Sequence, residues 1–306
     1  MKVLVIGGTR FLGRAIVDDL AARGHDATVM NRGNHPPPSN ARSIRCDKSD
    51  RDAFRRTLTG EHWDAVVDTI LRDDDLEFVV DALEGRIERF LHTGSIGVYA
   101  PCRRVPARES DPLKDIDEEF AFTPKLRQDR VLLRAHAERG FPATILRMSN
   151  IYGPGDVPLD GWGGRRPAFF QMIRDGETVP LPNEGRALLH PGYVVDLGRA
   201  FGDAMERQTT IGQVYNIGGD RALTMRDYVA LIAEALEVEP NLEFTTASDI
   251  LERFPDLTGR RGLLFSCEHM CCDIGKAERD LGWRPRVPLD VGLRRNIDWM
   301  QKEGLL

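Results

Sequence analysis

Seven residues near the start of the chain, Gly7-Gly8-Thr9-Arg10-Phe11-Leu12-Gly13, carry its clearest chemistry. They stand between an apolar run, Lys2 to Ile6, and a stretch with apolar residues at helical spacing from Phe11 to Arg23. Glycine belongs where a backbone turns tightly and approaches a pyrophosphate with no Cβ in the way. The helix that follows offers unpaired N–H groups and the positive end of its dipole to the phosphates. Gly13 is expected to let that helix pack closely on a sheet. A plain glycine-rich turn could share this composition, but its place between a first strand and a first helix favours nucleotide binding. A second cluster, Cys267-Glu268-His269-Met270-Cys271-Cys272, invites a zinc reading. No further ligand pair stands at finger-like spacing, so no metal is expected and the segment reads as a strand with small buried thiols.

These residues need elements to hold them in place. Strands are expected at Lys2–Ile6, Ala27–Met30, Ser43–Cys46, Ala65–Thr69, Phe90–Thr93 and Ala143–Leu146, alternating with helical stretches. That alternation means parallel strands joined by right-handed crossovers: an α/β fold with a Rossmann-type doubly wound sheet. After about Gly153 the texture changes. Pro154, Pro158, Gly161, Gly163, Gly164 and Pro167 crowd one stretch, which reads as a lid or, equally, as a solvated mobile loop. Helices follow at Pro167–Arg174, Leu197–Glu206, Met225–Leu236 and Val291–Lys302, with short strands near Val214–Ile217 and Leu242–Thr245. The expected division is a dinucleotide-binding domain over 1–153 and a smaller α/β substrate domain over 154–306, with segments from about 185 to 218 returning to the sheet.

Composition narrows the class. The 306 residues include 48 acidic and 42 basic side chains, a net charge of −6, with 41% hydrophobic and 29% charged residues. That is a folded globular profile. No apolar run of about 18 residues exists, which excludes a membrane-spanning helix. The first residues also lack the pattern of a secretory leader. The acidic balance argues against nucleic acid as a partner. Five cysteines, an odd number scattered over a long chain, fit free thiols in a reducing cytoplasm.

The glycine turn in this setting resembles that of the extended and atypical short-chain dehydrogenases/reductases, the family of NAD-dependent epimerases and dehydratases. The family's turn runs Gly-x-x-Gly-x-x-Gly; here Gly7 and Gly13 hold the outer positions and Arg10 the middle one, adding a cation beside the phosphates. Where NAD-preferring members carry an acid after the second strand to bond the ribose 2′-OH, this chain has Asn31-Arg32. Arg32, with Arg10, can bond a 2′-phosphate, so NADP is expected over NAD. A merely solvated loop cation at position 32 is the other reading of Arg32. Asp47 matches the family's adenine-contacting acid, with Lys48 beside it.

The resemblance continues through His92-Thr93-Gly94-Ser95-Ile96-Gly97-Val98-Tyr99, where Ser95 falls on the hydroxyl that bonds the substrate oxygen. The family's usual partner is Tyr-x-x-x-Lys on one helix face, the lysine lowering the tyrosine's pKa and holding the nicotinamide ribose. Alignment puts Lys125 on the lysine and Asp129 on the commonly acidic position after it. The tyrosine position holds Ala121, between Phe120 and Phe122, and no tyrosine occurs from Ala100 to Asn150. Tyr99, Tyr152 and Tyr193 exist, but spacing nominates none of them. Asn150 and Tyr152 belong to a stretch similar to the family's strand exit beside nicotinamide and substrate. Leu189 replaces the arginine with which nucleotide-sugar epimerases grip a diphosphate, leaving Arg165 in the glycine-rich loop, Arg186, Arg260 and Arg261 as substrate-side cations.

The resemblance implies NADP-dependent hydride transfer at an alcohol or carbonyl carbon of a sugar-like small molecule, by epimerisation or net oxidation or reduction. A catalytically degenerate NADP binder, structural or sensing, is the alternative that Ala121 raises. RNA binding, linked to some plant plastid proteins with a similar Gly-Gly-Thr-Arg-Phe-Leu-Gly start, is opposed by the net charge. The family commonly pairs through helices beside the active site, so a homodimer is implied.

Overall fold

The computed structural model describes residues 1–114 and 121–306. Phe120 lies outside the described residues. Seven strands form the main sheet: β1 (Lys2–Ile6), β2 (Asp26–Asn31), β3 (Arg42–Arg45), β4 (Ala65–Asp68), β5 (Arg89–Ser95), β6 (Ala143–Met148) and, after four strands that lie outside it, β11 (Val214–Ile217). Their order is β11-β6-β5-β4-β1-β2-β3, and every neighbouring pair is parallel. The expected doubly wound sheet is therefore present. Leu4, Ile6, Val66 and Phe90 fill one face of the central strands and Val3, Val5, Val67 and Leu91 the other, all buried. Apolar runs without polar alternation suit strands covered on both faces.

Helices α1 (Phe11–Ala22), α2 (Arg51–Thr59), α3 (Asp73–Leu83) and α4 (Thr123–Arg139) join the first strands. The core against α1 also takes residues of α6 (Val194–Met205) and α10 (Gly275–Leu281), with Trp283 fully enclosed. Val214–Ile217 does return to the sheet, in register with Ile145–Met148 of β6. A separate core gathers α5 (Pro167–Arg174), α7 (Met225–Ala235), α8 (Ala247–Arg253), α9 (Arg260–Ser266) and α11 (Leu289–Lys302). It is completed by three short ladders made of β7 (Asn150–Tyr152) with β10 (Pro191–Tyr193), β9 (Leu188–Leu189) with β12 (Leu223–Thr224), and β8 (Val179–Pro182) with β13 (Leu242–Thr245). No helix among the described residues is long and apolar enough to cross a membrane.

Two local expectations need correction. The segment at Cys267–Cys272 is no strand: it leaves α9 and makes a single bridge, Ala107 N–H to the Cys271 carbonyl (2.8 Å) and Asp273 N–H to the Ala107 carbonyl (2.8 Å). Cys271 and Cys272 are buried there, and all five thiols are free. The loop around Trp162 is not solvated. Asp160 is fully buried and accepts N–H bonds from Trp162 and Gly164 (both 2.8 Å), while the Trp162 indole donates to the Pro180 carbonyl (2.8 Å). One buried carboxylate organises the turn, and the ring anchors it in the second core.

Candidate active site

The order of strands reverses between β1 and β4, and in doubly wound sheets a crevice opens at the carboxyl ends on either side of such a point. A cavity of about 950 Å³ lies there, walled by the ends of β1, β2, β4, β5 and β6. Gly7 has φ +95°, and a Cβ on it would overlap the Thr69 hydroxyl. A Cβ on Gly13 would overlap the Gly7 carbonyl oxygen, so Gly13 seats α1 on the glycine turn itself. The residue that lets α1 approach the sheet is Gly8, whose added Cβ would stand 2.9 Å from Val17 and Val29. Phe11 adopts φ +43°, a left-handed conformation unusual for a bulky side chain. Arg10 holds the N-cap position without a side-chain cap bond, which leaves the helix's first N–H groups for a ligand. This cradle fits a dinucleotide's pyrophosphate.

Thr9, Leu12, Asn31, Arg32, Asp47 and Lys48 also line the cavity. Asn31 shapes the bend after β2, its side-chain Oδ1 accepting from Gly33 N–H (2.7 Å) and its Nδ2 donating to the Ser43 hydroxyl (2.9 Å). Arg32 is exposed. Asp47 accepts from the Ser49 N–H (2.9 Å) and hydroxyl (2.8 Å), bonds that hold its carboxyl below the ordinary range. Lys48 is ion-paired with Asp75, which tethers it beside the cavity. Seven cations, Arg10, Arg32, Lys48, Arg72, Lys125, Arg165 and Arg261, face this space among the described residues, against one carboxylate, Asp47. In a chain of net charge −6 that is a local inversion of sign.

Ser95 ends β5 in the cavity wall and accepts the Gly97 N–H (3.1 Å), which leaves its own proton to donate. Lys125, on the first turn of α4, donates to the Thr93 carbonyl (2.8 Å). Burial lowers its pKa below 10.5, opposed by the charges of Asp68 and Asp129. Ala121, at the position that the resemblance gives to the family's tyrosine, and Phe122 form part of the wall. No tyrosine lines the cavity among the described residues. Tyr99 is enclosed, donating to the Asn216 side chain (2.9 Å) and accepting from Arg147, and burial pushes its pKa up to about 12. Tyr193 packs edge-on against Tyr152 in the second core. Asp129, buried, holds Arg147 (2.8 Å) rather than facing a ligand.

On the substrate side Asn150 reaches the cavity, and its carbonyl oxygen, like the Ser149 hydroxyl, is buried without a partner among the described residues. Tyr152, two residues on, does not: its hydroxyl donates to the Leu289 carbonyl (3.4 Å) inside the second core. The expectation of Tyr152 at the substrate is corrected by this packing. Arg186 is likewise excluded, its side chain 73% exposed and paired with Glu184 outside the cavity. Arg165 lines the cavity, fixed by the carbonyls of Val157 (2.7 Å) and Ile151 (2.9 Å). Arg261 lines it and Arg260 does not. Arg72, Phe265 and Met270 also belong to the wall and had no local motif to reveal them. Phe265 closes on Phe122 with ring centres 4.9 Å apart.

Known proteins share this architecture. The chloroplast stem-loop binding protein of 41 kDa b of Arabidopsis thaliana is 26% identical over 95% of this chain and 77% of its own length. A dTDP-glucose 4,6-dehydratase of Streptomyces antibioticus is 27% identical over 98% of this chain and 92% of its own. The UDP-glucuronic acid 4-epimerase of Bacillus cereus, solved with UDP-glucuronic acid and NAD, superposes with a TM-score of 0.78 at 19% identity, covering 99% of this chain and 100% of that one. The model of the NAD dependent epimerase/dehydratase family matches residues 3–73 and 76–218. With that match over most of its length, on a sheet, glycine turn and crevice of this form, the chain belongs to the NAD dependent epimerase/dehydratase family and is an enzyme of that oxidoreductase and epimerase type.

Proposed function

We propose that this enzyme uses NADP for hydride transfer at an alcohol or carbonyl carbon of a sugar-like small molecule. The observation that carries the reading is the cation-lined crevice around an uncapped helix N-terminus, with Ser95 and Lys125 on its wall. Gly7 through Gly13 would hold the pyrophosphate, Asp47 the adenine end, and Arg32 with Arg10 the 2′-phosphate. A nicotinamide held there would supply or accept the hydride. Ser95 donates its hydroxyl proton as a hydrogen bond to the reacting oxygen and so stabilises developing negative charge there. Lys125, held by the Thr93 carbonyl, takes the proton-transfer role for which no tyrosine is present. Asn150 and Ser149 stand in the same wall, on the substrate side. Dehydratases and an epimerase of sugar nucleotides among the similar proteins support sugar-type chemistry. Five free thiols fit a cytoplasmic enzyme.

Calorimetric titration of the purified protein with NADP and NAD tests the cofactor assignment. NADP is expected to bind at least tenfold tighter, with Arg32→Glu reversing the order; tighter NAD binding by the unaltered chain would overturn it. Ala121 in the tyrosine position favours one second reading, a degenerate protein that binds NADP without turnover. Loss of a measured turnover in Ser95→Ala and Lys125→Met, both still folded, would end that reading.

A further inference from the structure

We infer that the substrate half of the crevice takes a free sugar-type molecule bearing a single acidic group. This rests on the reading above that the other half holds NADP. At about 950 Å³ the cavity sits at the upper end of ordinary small-molecule pockets, roughly 300–1,000 Å³. A dinucleotide along the glycine turn and the ends of β1, β2 and β4 takes the larger part. What remains beside Ser95 is room for one small molecule.

A backbone contact borders that room. A Cβ on Gly163 would overlap the Gly262 carbonyl, and both glycines line the cavity. Both belong to anchored segments, the first through buried Trp162 and the second through Leu263 in the second core. Leu189 is buried in that core, outside the wall of this cavity, so it offers a diphosphate no grip there.

The charge in the remaining space is specific. No carboxylate lines it among the described residues, since Asp47 stands at the adenine end. Arg165 spends its guanidinium on two backbone carbonyls and lies 3.4 Å from Asp156. Arg261 lines the cavity, is exposed, and makes no ion pair or hydrogen bond with the described residues. The Arg261 guanidinium shares the cavity wall with Phe122, Phe265 and Met270 and matches one carboxylate or phosphate monoester on a carbon skeleton that packs against apolar walls.

Isothermal titration of the full-length protein saturated with NADP tests this with four probes: D-glucuronate, D-glucose 6-phosphate, D-glucose and UDP-glucose. One of the two acids is expected to bind at least tenfold tighter than glucose, and which one distinguishes carboxylate from phosphate. Arg261→Ala should remove that advantage while leaving the NADP affinity in place, and Arg261→Lys should restore part of it. UDP-glucose binding tighter than both acids would overturn the inference, as would an acid affinity unchanged in Arg261→Ala, or no acid binding to the NADP-saturated protein. Failure of the preceding NADP titration would instead remove the reading on which the inference stands.

Discussion

At Lys125 burial competes with two carboxylates, and burial is the larger influence. Oxidation of an alcohol needs the neutral amine as base, so its rate should climb with pH and level off below 10.5, the ordinary lysine value. Lys125→Met should abolish this ionisation and lower kcat by about 10²–10⁴-fold, read by NADPH absorbance across pH. Stability carries the same sign. Between the lowered folded value and 10.5 the unfolded chain binds more protons, so this group's contribution to stability rises with pH through that window. Gly13 makes a second residue-scale case. Gly13→Ala would drive its methyl into the Gly7 carbonyl, and backbone cannot rotate away as a side chain can. NADP affinity should fall by more than tenfold, measured by fluorescence titration, with a lower Tm. The sequence made Gly7 and Gly13 legible because a phosphate turn has a local signature. It did not reveal that Gly8 serves the close packing of α1 on the sheet, since that depends on Val17 and Val29 arriving from two other elements.

At the scale of elements, α4 is tied to the sheet by a buried pair, Asp129 to Arg147 of β6. The Arg147 guanidinium also lies over the Tyr99 ring, 4.9 Å from its centre. This network holds α4 and so fixes where Lys125 meets Thr93. Asp129→Ala leaves a buried guanidinium without its carboxylate and should cost about 3–5 kcal/mol, seen as a lower urea midpoint. Strand positions through β6 and the span of α1 were legible because apolar runs and helical spacing are local. α8 and α9 were not, being helices of seven residues whose burial rests mainly on Ile250 and Leu263. The Trp162 loop could be read either way from its glycines; the buried Asp160 decided it, a contact that composition does not encode.

Across the whole molecule, the net charge of −6 conceals a crevice of opposite sign. Low-dielectric walls focus such a field on anions. NADP association should therefore slow steeply between about 20 and 300 mM salt, as screening shortens from tens of ångströms to less than 10 Å; stopped-flow fluorescence would measure it. Arg10→Ala with Arg32→Ala should flatten that dependence. The sequence by itself determined the parallel α/β plan, the glycine turn between β1 and α1, Arg32 in place of an acid and Ala121 in place of tyrosine, because each is written in neighbouring residues. Tertiary structure alone decided that Tyr152 turns into the second core, that Arg186 faces solvent, and that Arg261, Phe265 and Met270 share the cavity wall with Ser95. Those placements depend on segments more than 100 residues apart packing together, and no short-range pattern records which side chain such packing leaves facing a cavity.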